Sequence, residues 1–120
     1  MTYLTMEAFH RGITPPAQKT LDRYGITQDE WLALLLNQGW VCPICEVGNV
    51  KPSGKKTVWN TDHEHVPKWE SMPPEERKKY VRGVLCHHCN HRKVGNHRDA
   101  DLVQRIADYL KSYEARKGEQ

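Results

Sequence analysis

Residues 80–90 read YVRGVLCHHCN, a β-branched and apolar run that ends in a Cys-x-x-Cys pair and an asparagine. Tyr80–Cys86 has the composition of a strand, with little helical periodicity. A second pair, Cys42-Pro43-Ile44-Cys45, lies upstream, and the two pairs hold all four cysteines of the chain. Two residues between thiolates let a tight knuckle aim both sulfurs at one ion, and two knuckles complete a tetrahedral zinc site. Cys42, Cys45, Cys86 and Cys89 are therefore expected to hold a structural zinc, with His87 or His88 as a substitute ligand. Two disulfides in a secreted protein fit poorly, because MTYLTMEAFHRG lacks the basic start and apolar middle of a signal peptide. A thioredoxin-like redox role lacks its βαβ context. A zinc closed by four thiolates has no open position, so any chemistry must come from other residues.

Working outward, forty residues separate the knuckles, more than an ordinary zinc ribbon carries. They include a second strand-like stretch, Val58–His65, then Pro67–Glu76 with three prolines, which reads as a loop. Ser71 to Lys79 can include a short helix opened by Pro73 and Pro74. After Cys89, Asn90–Val94 can form a short helix closed by Gly95-Asn96. The middle thus reads strand, loop, strand, short helix. Upstream, Thr27-Gln28-Asp29-Glu30 has the spacing of a capping box. Trp31, Leu32, Leu35 and Leu36 follow as an apolar helical face, Gly39 is its stop, and Ala17–Tyr24 reads as an earlier short helix. From Asp101 to about Lys117, Leu102, Val103, Ile106, Leu110 and Tyr113 recur at helical spacing. That face is expected to pack on the core, with a homodimer contact as the alternative.

The expected class is α+β: one domain over 1–120, with a helical segment at 1–40, a zinc-bound core at 41–98 and a C-terminal helix at 99–120. Only 38% of the 120 residues are hydrophobic and one is Phe, so apolar burial leaves a thin margin that a metal would supplement. No apolar run approaches the length of a membrane span, and a soluble, cytoplasmic protein is expected. The formal net charge is +3, but residues 51–98 hold eleven Lys and Arg against five Asp and Glu, a net of +6. A basic centre between less basic flanks suits an anionic partner as well as a merely solvated surface.

Inside the basic segment stands Asn60-Thr61-Asp62-His63-Glu64-His65. On an ideal strand, Asp62 and Glu64 share one face and His63 and His65 the other, which a solvated strand explains without function. Its place between the knuckles, with Asn90 just after the second, favours another reading. One carboxylate, one amide oxygen and open water positions suit Mg²⁺ or Mn²⁺, and a neutral imidazole can take a proton from water. These are the parts of metal-assisted phosphodiester hydrolysis. Asp62 and His63 are neighbours, so both can address one phosphate only if the strand ends, twists or bulges there.

In order, CPIC, TDHEH and VRGVLCHHCN with a following Gly95 resemble the recombination endonuclease VII family of tailed phages, which belongs to the zinc-stapled ββα-metal, or HNH-like, nucleases. The resemblance covers roughly residues 40–97. It implies a DNA endonuclease with Cys42, Cys45, Cys86 and Cys89 on structural zinc and Asp62 and Asn90 on a catalytic divalent metal. It further implies His63 as general base and His65 as a second active-site histidine, in a phage-encoded or bacterial protein. The sequence departs from the best-known members at Lys93, where they carry an acidic residue, and it ends soon after one further helix. DNA cleavage is accordingly a firmer expectation than Holliday-junction resolution; branched, nicked, flapped and plain duplex DNA stay open as substrates. Lys78, Lys79, Arg82, Arg92, Lys93 and Arg98 are candidates for a phosphate track, and Trp59 and Trp69 for base stacking, with core packing favoured for Trp59. The competing class is a non-catalytic zinc module that binds nucleic acid or protein.

Overall fold

The computed structural model describes residues 2–94 and 99–118. They form two compact units, residues 1–87 and 88–120. The first opens with α1 (Tyr3–His10), α2 (Gln18–Asp22) and α3 (Gln28–Asn37). Each begins where local chemistry allows. Thr2 caps α1 by accepting from the Thr5 N–H, and Thr27 and Glu30 make the full reciprocal capping box at α3. Trp31, Leu32 and Leu35 are buried as the period predicts, whereas Leu36 is exposed, one step too far around the helix. α3 ends where Gly39 and then Trp40 take positive φ, of 75° and 63°. This turn lets the Trp40 N–H reach the Leu35 carbonyl at 2.8 Å and returns the indole to the core.

The strands are β1 (Trp59–His63) and β2 (Val81–Cys86), one antiparallel pair. Backbone hydrogen bonds from His87 to Val58 and from Glu64 to Tyr80, both 2.8 Å, carry the pairing slightly past the strand ends. Between the strands lie a 3₁₀ turn at Trp69–Ser71, α4 (Pro74–Arg77) and a second 3₁₀ turn at Lys78–Tyr80. The prolines thus open a short helix as expected, with Pro74 at its first turn. The sheet is held to α3 by Gln38. Its side-chain amide accepts from the Val84 N–H at 2.9 Å and donates to the Val84 carbonyl at 2.7 Å. A side chain here stands where a neighbouring strand's backbone would. The core gathers Ala8, Ile13, Leu21, Ile26, Trp31, Leu32, Leu35, Trp40 and Val84, and Trp59 packs against it.

The second unit holds a π-helix (Cys89–Val94) and α5 (Ala100–Gly118). Asp99 starts α5 by accepting from the N–H groups of Asp101 and Leu102. Leu102, Val103, Ile106, Leu110 and Tyr113 of its apolar stripe are exposed. The unit is too small to bury a stripe of its own. The helix-closing Gly95-Asn96 and the candidate Arg98 lie outside the described residues. The observed class, helices around a small two-stranded sheet with a four-cysteine cluster, is the α+β arrangement expected.

Candidate functional site

The cysteine knuckle begins with a turn in which Glu46, at φ 64°, donates its N–H to the Cys42 carbonyl while the Cys42 N–H reaches Val47. The four sulfurs of Cys42, Cys45, Cys86 and Cys89 all lie within 4.8 Å of one another. Cys45 and Cys86 have sulfurs 3.7 Å apart, too far for a disulfide. A tetrahedral zinc with bonds of about 2.3 Å would hold its sulfurs about 3.8 Å apart. The cluster therefore fits a structural metal such as zinc.

At the far end of β1 the pairing slips. Thr61 faces Val84 and Asp62 faces Gly83, but His63 faces Val81. Arg82 is the residue left over. An extra residue bends its strand and re-aims side chains, so strict alternation fails at the Asp62–His63 step. Asp62 is the one charged residue buried among those described. Its carboxylate accepts two hydrogen bonds from the Arg82 fork, from Nε at 2.8 Å and from Nη2 at 3.0 Å. A carboxylate withdrawn from water needs a cation beside it, and a divalent ion meets that need as well as a guanidinium does.

His63 is clamped among rings. Trp69 stacks on it with centroids 4.2 Å apart and planes 19° from parallel, and His65 and Tyr24 lie at 4.8 and 5.7 Å. Burial pushes the imidazole below its ordinary range, helped by repulsion from His65, while Asp62 pulls it upward. Arg23 and Arg82 also bear on the ring. The ring thus favours its neutral form and feels the charges of the Asp62–Arg82 pair. Trp69 is buried, with its indole N–H unpartnered among the described residues, so its face serves His63 instead of a base. Beside the rings opens a cleft of about 570 Å³ lined by His63, His65 and Trp69 together with Arg23, Lys68 and Glu70, whose carboxylate lies 3.5 Å from Arg23.

Residues 17–112 match the family description of recombination endonuclease VII. The chain belongs to the recombination endonuclease VII family. It is also 34% identical over 102 residues to the Gene 59 protein of Mycobacterium phage D29, covering 84% of this chain and 53% of that one. With the Gene 59 protein of Mycobacterium phage L5 it shares 34% identity over 101 residues, 83% of this chain and 52% of the relative. The chain thus spans about half the length of these relatives. No solved structure gives a significant match.

Within this member of the endonuclease VII family, the other sequence-predicted residues are distributed unevenly. Asn90 is the second residue of the π-helix and half-buried, in a conformation that is rare and frequent at functional sites. Arg92 and Lys93 are exposed on the same element. Lys78 is ion-paired with Glu30, and Lys79 bonds Glu76 at 3.1 Å, so each meets a local carboxylate before any phosphate. Arg82 is on the carboxylate of Asp62. Arg23 and Lys68 were missed as site residues. Lys68 lay in the basic segment but in a loop, where its φ of 61° had no sequence signal. Arg23 comes from α2, and only tertiary packing brings it to the cleft. Among the described residues, no helix is long and apolar enough to cross a membrane.

Proposed function

We propose that this domain is a divalent-metal-dependent DNA endonuclease of the HNH-like type that hydrolyses phosphodiester bonds at the end of β1. The reading is carried by the register slip at Asp62–His63, which joins a buried carboxylate and a neutral-leaning imidazole beside a basic cleft. Cys42, Cys45, Cys86 and Cys89 would hold a zinc with a purely structural role. Asp62 and Asn90 would hold Mg²⁺ or Mn²⁺. When bound, that ion supplies Lewis-acid stabilisation of charge on the phosphate and on the leaving 3′ oxygen.

The chain's own residues do the rest. His63, neutral and fixed by Trp69, accepts the proton of a water that attacks phosphorus in line with the 3′ oxygen. The products carry 5′-phosphate and 3′-hydroxyl ends. His65, Arg23 and Lys68 orient the phosphate in the cleft, while Lys78, Lys79, Arg92, Lys93 and Arg98 extend the track without reading bases. The whole chain of 120 residues acts as one nuclease domain, on duplex or branched DNA, with selectivity for distorted structures and with the exposed stripe of α5 available to a second copy.

The test is a nicking assay on plasmid and branched DNA with Mg²⁺ or Mn²⁺. His63→Ala should cut roughly 10²–10⁴-fold more slowly, with zinc content and DNA affinity unchanged. The parent's rate should rise with pH and level off below the ordinary imidazole range, because the lowered His63 frees its base form in mildly acidic solution. Equal cleavage by parent and His63→Ala would return the domain to a non-catalytic zinc module.

A further inference from the structure

We infer that Arg82 is a place-holder on the metal-binding carboxylate, displaced when DNA arrives, so that metal and DNA bind cooperatively. This rests on the reading of Asp62 as a metal ligand. Three observations converge on it. Arg82 bonds both Asp62 oxygens at 2.8 and 3.0 Å, a two-pronged grip whose positive charge opposes a cation on the same carboxylate. Arg82 is also the surplus residue of the register slip, with Gly83 facing Asp62 and Val81 facing His63. It has no counterpart in the strand register, so moving its side chain leaves every paired position in place. Finally, the two ends of the pair differ in exposure. The Asp62 side chain is 9% exposed and stays; the Arg82 side chain is 40% exposed and has solvent to swing into.

A guanidinium leaving a carboxylate needs another anion of matching geometry, and a phosphodiester offers two oxygens to the same fork. Arg82 stands between Val81, which faces His63, and Gly83, which faces Asp62, so the phosphate that it would take is offered beside the proposed base. The sequence is then closed: phosphate draws Arg82 away, Asp62 opens to the divalent ion, and each ligand raises the affinity for the other. Reciprocity is required by thermodynamics, and couplings between sites run at roughly 5- to 150-fold. In the absence of DNA the pair also keeps a buried carboxylate neutralised, so the domain folds without its catalytic ion. Arg82 is a positioning residue here, acting on the ion through Asp62.

The experiment is Mn²⁺ titration of zinc-loaded protein, followed by the paramagnetic resonance of free Mn²⁺, with and without a short duplex. A His63→Ala background keeps the DNA intact. DNA should tighten Mn²⁺ binding within the coupling range above. Adding Arg82→Gln should tighten Mn²⁺ binding in DNA-free protein about tenfold and shrink the further gain from DNA by a similar factor, leaving what the phosphate itself gives the ion. Arg82→Lys, which keeps the charge but loses the fork, should fall between, and carries the test if Arg82→Gln loses its zinc or its fold. Unchanged or weaker Mn²⁺ binding in folded Arg82 variants overturns the place-holder. If Asp62→Asn leaves Mn²⁺ binding intact, the metal assignment fails, and the inference fails with it.

Discussion

The first unit is built in two ways. Residues 3–40 supply eight of the nine members of the apolar core, and only Val84 comes from the sheet. Residues 41–87 add few buried hydrophobic side chains, two of them cysteines, beside a buried carboxylate. One half is held by burial of Trp and Leu; the other by sulfur, a charge pair and stacked rings. The half with the thinner core carries the proposed chemistry. A carboxylate, an arginine and an imidazole kept in play for function cannot also be a hydrophobic core.

The largest effect should come from the sulfur cluster. Structural zinc contributes about 10–16 kcal/mol to the folding of small zinc domains. Cys86→Ser, or zinc removal, should therefore strip hydrogen-exchange protection from residues 42–63 and 81–87 while α3 keeps most of its own. Equal loss in both halves would show one cooperative unit and break the contrast. Next comes Leu32→Ala, at a fully buried position, which should cost about 2–5 kcal/mol by urea unfolding. A cost below ~1 kcal/mol would mean that the helical half does not rest on its core.

The smallest effect joins the halves. Glu30 closes the capping box on Thr27 and pairs with Lys78. The Lys78 bond holds its carboxyl below the usual range, against the opposing pull of burial and with help from the Thr27 backbone. A depressed folded pKa stabilises above the unfolded value, and the contribution fades as pH falls through the folded one. Glu30→Gln should accordingly lower stability by up to about 1 kcal/mol at neutral pH and by nothing in strong acid. Urea midpoints for parent and variant across that range decide it; a gap that persists in acid would assign the loss to the cap alone.

The two halves were also unequally legible. The capping box and most of the α3 face followed from neighbours in sequence, because hydrogen bonds between residues three or four apart need no tertiary help. The strands were legible by composition to within one or two residues of their ends. α1 went unread, since Tyr3, Met6 and Phe9 are exposed and Ala8 alone is buried, which leaves no stripe to detect. For α5 the period was right; periodicity reports that a face is apolar, not what covers it. The candidate site was legible as a set of residue types. The Asp62–Arg82 grip was not, because it depends on a register slip between strands separated by a seventeen-residue excursion. Arg23 and Lys68 entered the cleft by packing and by a left-handed turn, neither of which a pattern of residues encodes.

A sheet of two strands has open sides, and an open side invites a stranger's strand. At Val84 the amide of Gln38 takes both backbone bonds that such a strand would seek. Its role is protective as well as cohesive. A chain with Gln38→Leu would keep its helix and lose that guard, and turbidity in concentrated solution would accompany the fall in melting temperature that the two lost bonds bring.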